Sequence, residues 1–271
     1  MNEITIEAGR AERQYWRDLW RYRELFYFLA WRDILVRYKQ TVIGVAWAVI
    51  RPLLTMLVLT FIFGKLAKMP SNGVPYPILV FCGMLPWQFF ATAFSESGNS
   101  LVSNAGMISK VYFPRLVVPV SSVITSFVDF LISAGMLVGL MIYYRYLPGP
   151  TIVILPAFVL LAFATAFGSG LWISALMVRY RDFRYIVPFV VQFGLYVSPV
   201  GFLSSVVPEN WRLFYSLNPM VGVIDGFRWA LLGESNVYWP GFWISVGAVI
   251  FLIISGIWYF RKTERTFADV I

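Results

Sequence analysis

The 271-residue sequence predicts an all-α polytopic membrane protein: six transmembrane helices, an amino-terminal amphipathic interfacial helix, and two short re-entrant helices between spans five and six. Three observations carry that prediction. Hydrophobic residues make up 59% of the chain and charged residues only 13%, where soluble domains run nearer half apolar and about a quarter charged. Several apolar runs reach the roughly 20 residues that a helix needs to cross a bilayer. Lys and Arg are also spread unevenly between alternate connections, as topology in a membrane demands.

Taken in order, the first dozen residues (MNEITIEAGRAE) are polar and acidic, so no cleavable leader is expected there. Residues 16–39 are too charged to span but show helical periodicity. Trp16, Trp20, Tyr27, Trp31, Ile34 and Tyr38 fall on one face, and Arg17, Arg21, Glu24, Arg32 and Lys39 gather on the other. Tryptophans opposite arginines suit a helix lying at headgroup depth; packing on another protein domain is the second reading. Segment 1–41 is therefore a cytoplasmic and interfacial arm, 42–260 a six-span core and 261–271 a cytoplasmic tail, all one transmembrane domain.

Apolar windows place the spans near 42–64, 77–102, 116–144, 151–178, 185–203 and 241–260. The stretch 204–240 is apolar but broken by Pro219 and several glycines. Non-helical backbone at membrane depth survives only where protein or a cavity covers it, so two re-entrant helices are expected; a seventh, badly formed span is the alternative. With the amino terminus inside, sixteen Lys and Arg fall on inside segments against five outside, which puts both termini in the cytoplasm. Arg51 lies within the first span and is expected to face a partner or an aqueous path. Asp129 lies deep in the third span, either paired with Arg51 or another donor, or carrying a function of its own.

The loop between spans two and three reads NAGMISKVYFPR (104–115), where Asn104 is expected to cap a short helix that Pro114 stops. Enzymatic chemistry has little to work with. The chain has no histidine, one cysteine (Cys82) and no carboxylate pair set by spacing, which removes the commonest general base and thiolate metal clusters. It also lacks G-x-x-x-x-G-K-[ST], the loop that cradles nucleotide phosphates. The net charge of +8 reads as topological, so no nucleic-acid partner is expected. A multispan chain with a basic knuckle and no engine of its own suggests a translocation subunit driven by another chain.

Four ordered stretches, RYKQTVIGVAWAVIRPLL (37–54), the 104–115 loop, RYRDFRYIVPFVVQFGLYVSPVGF (179–202) and WRLFYSLNPMVGVIDGFRWALLG (211–233), resemble the permease subunits of ABC type-2 polysaccharide exporters of O-antigen, teichoic acid and capsule-like glycans. The resemblance runs from about Tyr22 to the end. One departure is that a tyrosine often follows SPV after one residue, where this chain has Phe202.

The resemblance implies that Asn104, Met107, Ile108, Lys110, Tyr112, Phe113 and Arg115 form a coupling helix and its flanks, docked on a separate ATP-binding-cassette subunit. ATP and Mg would then bind that partner, with no cofactor or metal on this chain. It implies a homodimer enclosing the path, which six spans also favour as the economical arrangement. The substrate is expected to be a polyprenyl-pyrophosphate-linked glycan in the cytoplasmic (inner) membrane. The resemblance also implies that the amino-terminal amphipathic helix is an interfacial gate helix, and its Arg17, Arg21 and Arg32 are candidates for the pyrophosphate or, equally, for lipid headgroups. Arg51, Trp87, Phe89, Phe90, Tyr196 and Phe202 are candidate path-lining residues, with an aromatic belt at the interface as the competing reading. The alternatives in function are a permease for small lipophilic compounds and an integral membrane glycosyl or acyl transferase.

Overall fold

The computed structural model describes residues 12–39, 44–233, 237–264 and 266–267. The expected leaderless start (1–11), the first residues of span one (42–43) and the end of the tail (268–271) lie outside the described residues. Among the described residues every regular element is a helix, with no strand.

The amino-terminal arm is two helices rather than one, α1 (Glu12–Arg21) and α2 (Arg23–Lys39), joined at Tyr22. The aromatic face is real: Trp20 and Tyr27 are about 70% exposed and Trp31 about half, while Leu29 on the opposite side is buried. α3 (Gly44–Leu59) runs on into a wide π-helical stretch, Thr60–Leu66. Such widened turns accommodate irregular packing without losing backbone hydrogen bonds. α4 (Tyr76–Ser103) has 28 residues, about 42 Å of rise, and therefore projects beyond a ~30 Å hydrocarbon layer to carry the 104–115 loop. α5 (Ala105–Ile108) is a single turn in that loop.

α6 (Val117–Tyr143) buries Ser121, Ser122, Thr125 and Ser126, whose hydroxyls donate back to carbonyls three or four residues earlier in the helix. That is how polar residues sit in a span without foreign partners. α7 (Leu155–Arg179) follows a 3-10 turn, Pro150–Ile154. It crosses α11 (Trp239–Glu264) at glycines: a Cβ on Gly168 would lie 2.8 Å from the Ile253 nitrogen, and one on Gly256 would lie 2.6 Å from the Gly168 carbonyl. Small residues here let two backbones touch, the usual source of helix association where lipid gives no hydrophobic drive. Trp172 stacks on Tyr259 at 4.3 Å and donates to Ser255 across the same seam.

Among the described residues, five helices are long and apolar enough to cross a membrane: Ala46–Leu66, Tyr76–Ser103, Val117–Tyr143, Pro150–Arg179 and Trp239–Glu264. The span expected at 185–203 is instead α8 (Phe183–Val197), 15 residues and only about 22 Å long. It stops because Ser198 precedes Pro199, which forces an extended backbone on the residue before it. The 204–240 region then forms a 3-10 turn (Ser204–Val206), α9 (Glu209–Tyr215) and α10 (Pro219–Leu232). α10 has clear local signals. The Asn218 side chain accepts from the Met220 amide, Pro219 occupies the first turn, and Gly233 ends the helix at φ +69°.

The two larger of three apolar clusters among the described residues organise the bundle. The larger packs α4, α6, α7 and α10 around Phe81, Phe89, Phe130 and Phe227. The smaller joins Leu29 of α2, Ile108 and Phe113 of the loop, Leu101, Val117, Leu171 and Phe260.

Candidate functional site

The bundle holds a groove of about 810 Å3 between α2, α3, α4, α6 and α8. Its wall mixes aromatic rings (Trp47, Trp87, Phe89, Phe130) with hydrogen-bonding groups (Gln88, Thr92, Ser95, Ser133, Gln192) and the charges of Arg37, Arg51, Glu96 and Asp129. Rings offer flat apolar faces and the amides and hydroxyls offer donors and acceptors, a combination matched to ligands that are apolar on one side and hydroxylated at the edge.

Of the expected lining residues, Arg51, Trp87 and Phe89 border the groove. Phe90, Tyr196 and Phe202 stand off it. Phe90 packs between Trp87 and Phe94, Phe202 leans on Phe63 at 6.1 Å, and Tyr196 is 59% exposed on α8. Trp47, Gln88 and Gln192 were not anticipated. The sequence offered a signal for the glutamines alone, as uncharged polar residues inside apolar runs.

Asp129 is paired, as one reading expected, but not with Arg51. Its carboxylate accepts from the Arg37 guanidinium and the Tyr38 hydroxyl of α2. Burial, followed by that hydrogen bond to Asp129, pushes the Tyr38 phenol up from its ordinary range. Arg37 also donates to Glu96 of α4 at 2.9 Å. One guanidinium thus ties three helices together.

A second, polar notch of about 520 Å3 opens at the loop end, lined by Arg32, Asp33, Asn99, Asn104 and Thr125 among others. Arg37 and Glu96 border both cavities. Arg32 of the proposed anion set lies in this notch, held by Asp33 and donating to the Asn104 side-chain oxygen at 3.0 Å. Arg17 and Arg21 are exposed on α1, away from both cavities.

In the 104–115 loop, Asn104 precedes the short helix but its side chain does not cap it. That side chain accepts from Arg32 and donates to the Ser100 carbonyl. Nor does Pro114 stop α5, which ends at Ile108; the Pro114 carbonyl instead accepts from Val117 as α6 begins. The loop divides into two faces. Ile108 and Phe113 are buried in the smaller apolar cluster with Met107 against it, while Lys110 and Tyr112 are exposed, Tyr112 at 65%. Arg115 is tied down: its amide donates to the Glu264 carboxylate at 2.9 Å and its guanidinium to the Glu264 carbonyl.

Arg228 of α10 is fully buried and donates to the carbonyls of Val200 (2.8 Å), Phe202 (2.7 Å) and Leu79 (3.3 Å). It clamps the non-helical backbone after α8.

Comparison with known proteins places this architecture. The ABC-2 type transporter family model matches residues 24–232. The O-antigen export system permease protein RfbA of Klebsiella pneumoniae is 28% identical over 242 residues, 89% of this chain and 92% of that one. The O-antigen export system permease protein RfbA of Myxococcus xanthus is 29% identical over 214 residues, 78% of this chain and 82% of its own. The polysialic acid transport protein KpsM of Escherichia coli is 21% identical over 206 residues, 74% of this chain and 78% of that protein. The match reaches from the middle of the amino-terminal arm through the groove and the 104–115 loop to the end of α10, and on it the chain belongs to the ABC-2 type transporter family.

Proposed function

We propose that this chain is the membrane-spanning subunit of an ATP-driven polysaccharide exporter, moving a polyprenyl-pyrophosphate-linked glycan outward across the cytoplasmic membrane. The observation that carries the reading is the groove: a path of rings, amides and hydroxyls at membrane depth, in a family whose O-antigen and polysialic acid relatives share most of this chain's length. α8 with the stretch through Leu203 makes a fifth crossing and α11 the sixth, while α9 and α10 form the re-entrant pair. Both termini then lie in the cytoplasm, and two copies enclose the path. The buried position of Arg228 supports this orientation, since it leaves only four outside loop charges against sixteen inside.

The ATP-binding-cassette partner, carrying ATP and Mg, docks on the exposed face of the 104–115 loop. Arg17 and Arg21 lie at the headgroups, where anionic lipid or the carrier's diphosphate meets them. The test is to co-express the chain with its ATP-binding-cassette subunit, purify the complex and follow glycan at the cell surface. Lys110→Glu combined with Tyr112→Ala should weaken the complex and leave lipid-linked glycan inside. If no ATPase partner binds the parent chain, or surface glycan is unchanged when the chain is deleted, the proposal fails.

A further inference from the structure

We propose that a cavity between α9, α10 and α11 binds the headgroup of a zwitterionic amino-phospholipid, with its ammonium on Asp225 and its phosphate on Arg212. The cavity holds about 280 Å3 and shares no lining residue with the groove or the notch. α10 has two sides. Arg228 reaches the Leu79 carbonyl of α4, whereas Val221, Gly222 and Asp225 line the cavity. Its walls are close-packed: a Cβ on Gly222 would lie 2.6 Å from the Ser245 Cβ, and one on Gly241 2.2 Å from the Ser216 hydroxyl oxygen.

Two groups in this wall call for a cation. Asp225 has no ion pair among the described residues. Arg228, three residues on, adds its field but no hydrogen bond, because it donates to three backbone carbonyls. The Tyr215 hydroxyl, near Asp225, is buried and meets no hydrogen-bond partner. A carboxylate enclosed by protein needs a paired cation. An ammonium serves both groups, since its three N–H donors can go to the carboxylate, the phenol and a serine oxygen. A bare metal ion fits poorly, because one carboxylate is too few for a hard-cation cage and the space far exceeds an ion.

The other charge in the wall is positive. Arg212 Nε and Nη2 donate to the Val207 and Ser205 carbonyls at 2.9 Å. Its Nη1 lies 3.8 Å from Glu209, too far for a hydrogen bond, and keeps its hydrogens for a phosphate oxygen. A ligand with an ammonium and a phosphate a few bonds apart matches the wall on both counts.

Position selects a lipid over a soluble molecule. Phe242 lines the cavity and packs edge-on against Trp239 and Trp243 at 5.7 and 5.5 Å. Those two rings, in the first turns of α11, are 49% and 65% exposed, and Trp211 and Phe214 of α9 are exposed too. The cavity therefore lies one ring behind an aromatic surface of the kind that sits at headgroup depth. Assigning it to the outer leaflet rests on the proposed topology; binding does not.

The test titrates delipidated permease, without ATPase or glycan, with phosphatidylethanolamine or phosphatidylcholine of the same acyl chains, and counts bound lipid by native mass spectrometry. A primary ammonium makes charge-assisted hydrogen bonds that a trimethylammonium cannot, so the first phosphatidylethanolamine should bind about tenfold tighter than the first phosphatidylcholine. Asp225→Asn should bring it down to the phosphatidylcholine level. Tyr215→Phe, which keeps the ring, should cut the preference severalfold, and phosphatidylcholine binding should be unchanged in both. Equal binding of the two lipids by the parent overturns the site. So does a full preference that survives Asp225→Asn, or that survives Tyr215→Phe where Asp225→Asn is not monodisperse. Displacement of bound phosphatidylethanolamine by free glucose would make the cavity a sugar site and overturn the lipid assignment. No export is measured here, so failure of the proposed function in its own test leaves this result standing, and failure here leaves that reading untouched.

Discussion

Arg228→Met removes the clamp on the broken backbone while nearly keeping side-chain volume. The Val200 carbonyl accepts from Arg228 at 2.8 Å in a buried contact, and the Phe202 carbonyl accepts at 2.7 Å in a partly buried one. Leaving a buried acceptor unsatisfied costs about 1–3 kcal/mol, and the partly buried Phe202 carbonyl adds less, so the two together cost about 2–4 kcal/mol. The Leu79 carbonyl lies inside α4 and keeps its helical partner. Relief of the desolvated charge is offset by the loss of the cation beside Asp225, and we expect a net loss of about 2–4 kcal/mol. Arg228→Lys should lose less, about 1–3 kcal/mol, because one ammonium cannot reach both carbonyls as the guanidinium fork does. Gly83→Ala reaches the same clamp independently, since a Cβ there would sit 2.6 Å from an Arg228 terminal nitrogen. The assay is unfolding of purified protein in mixed micelles titrated with SDS, read by tryptophan fluorescence. If Arg228→Met unfolds within about 0.5 kcal/mol of the parent, the range of an indifferent substitution, the clamp argument is wrong.

The α7–α11 crossing should fail on a single methyl group. Gly168→Ala places a Cβ 2.8 Å from the Ile253 backbone, an overpacking expected to cost about 1–3 kcal/mol, checked by the same titration. The loop's two faces should separate by phenotype: Phe113→Ala loses about 3–5 kcal/mol of stability, whereas Tyr112→Ala, at an exposed ring, leaves the melting point alone and weakens ATPase binding in a pull-down. Asn218→Ala removes the side-chain cap of α10 and should cost about 1 kcal/mol, while Asn218→Asp recovers most of it.

Elements set by local rules were legible. The long spans, the amino-terminal aromatic face and the cap and stop of α10 follow from apolar windows, 3.6-residue periodicity and the Asn-Pro and Gly signals. The site was less so, because it is assembled from pairs far apart in sequence. Arg37 meets Asp129 across 92 residues and Arg228 meets Leu79 across 149, and no period or window links such partners. Sequence could say that Asp129 needs a cation, not which. It also read Asn104 as a cap by residue type, where a long-range donor, Arg32, claims the same oxygen. Among the aromatics, Trp87 and Phe90 are three residues apart, yet only Trp87 borders the groove, since membership depends on how α4 is rotated against α8.

The short α8 shows why length alone misjudges a crossing. A window of apolar residues continues through Phe202, but Pro199 ends the helix at Val197 and the backbone beyond it must find partners elsewhere. It finds them one by one. The Ser198 amide returns to Gly194, the Ser198 hydroxyl accepts from Asn218, Val200 and Phe202 accept from Arg228, and the Gly201 carbonyl accepts from the Tyr76 hydroxyl at 2.8 Å. Four of these five bonds come from three residues, Tyr76 of α4, Asn218 just before α10 and Arg228 of α10, so the broken stretch is stable only while those helices stay against it. In the proposed topology this stretch completes the fifth crossing. Its carbonyls would face hydrocarbon unmet if α10 swung away, at several kcal/mol per group. Opening on the outer side must therefore carry α10 and the 198–203 stretch as one unit, and any mechanism that hinges between them contradicts the hydrogen bonding.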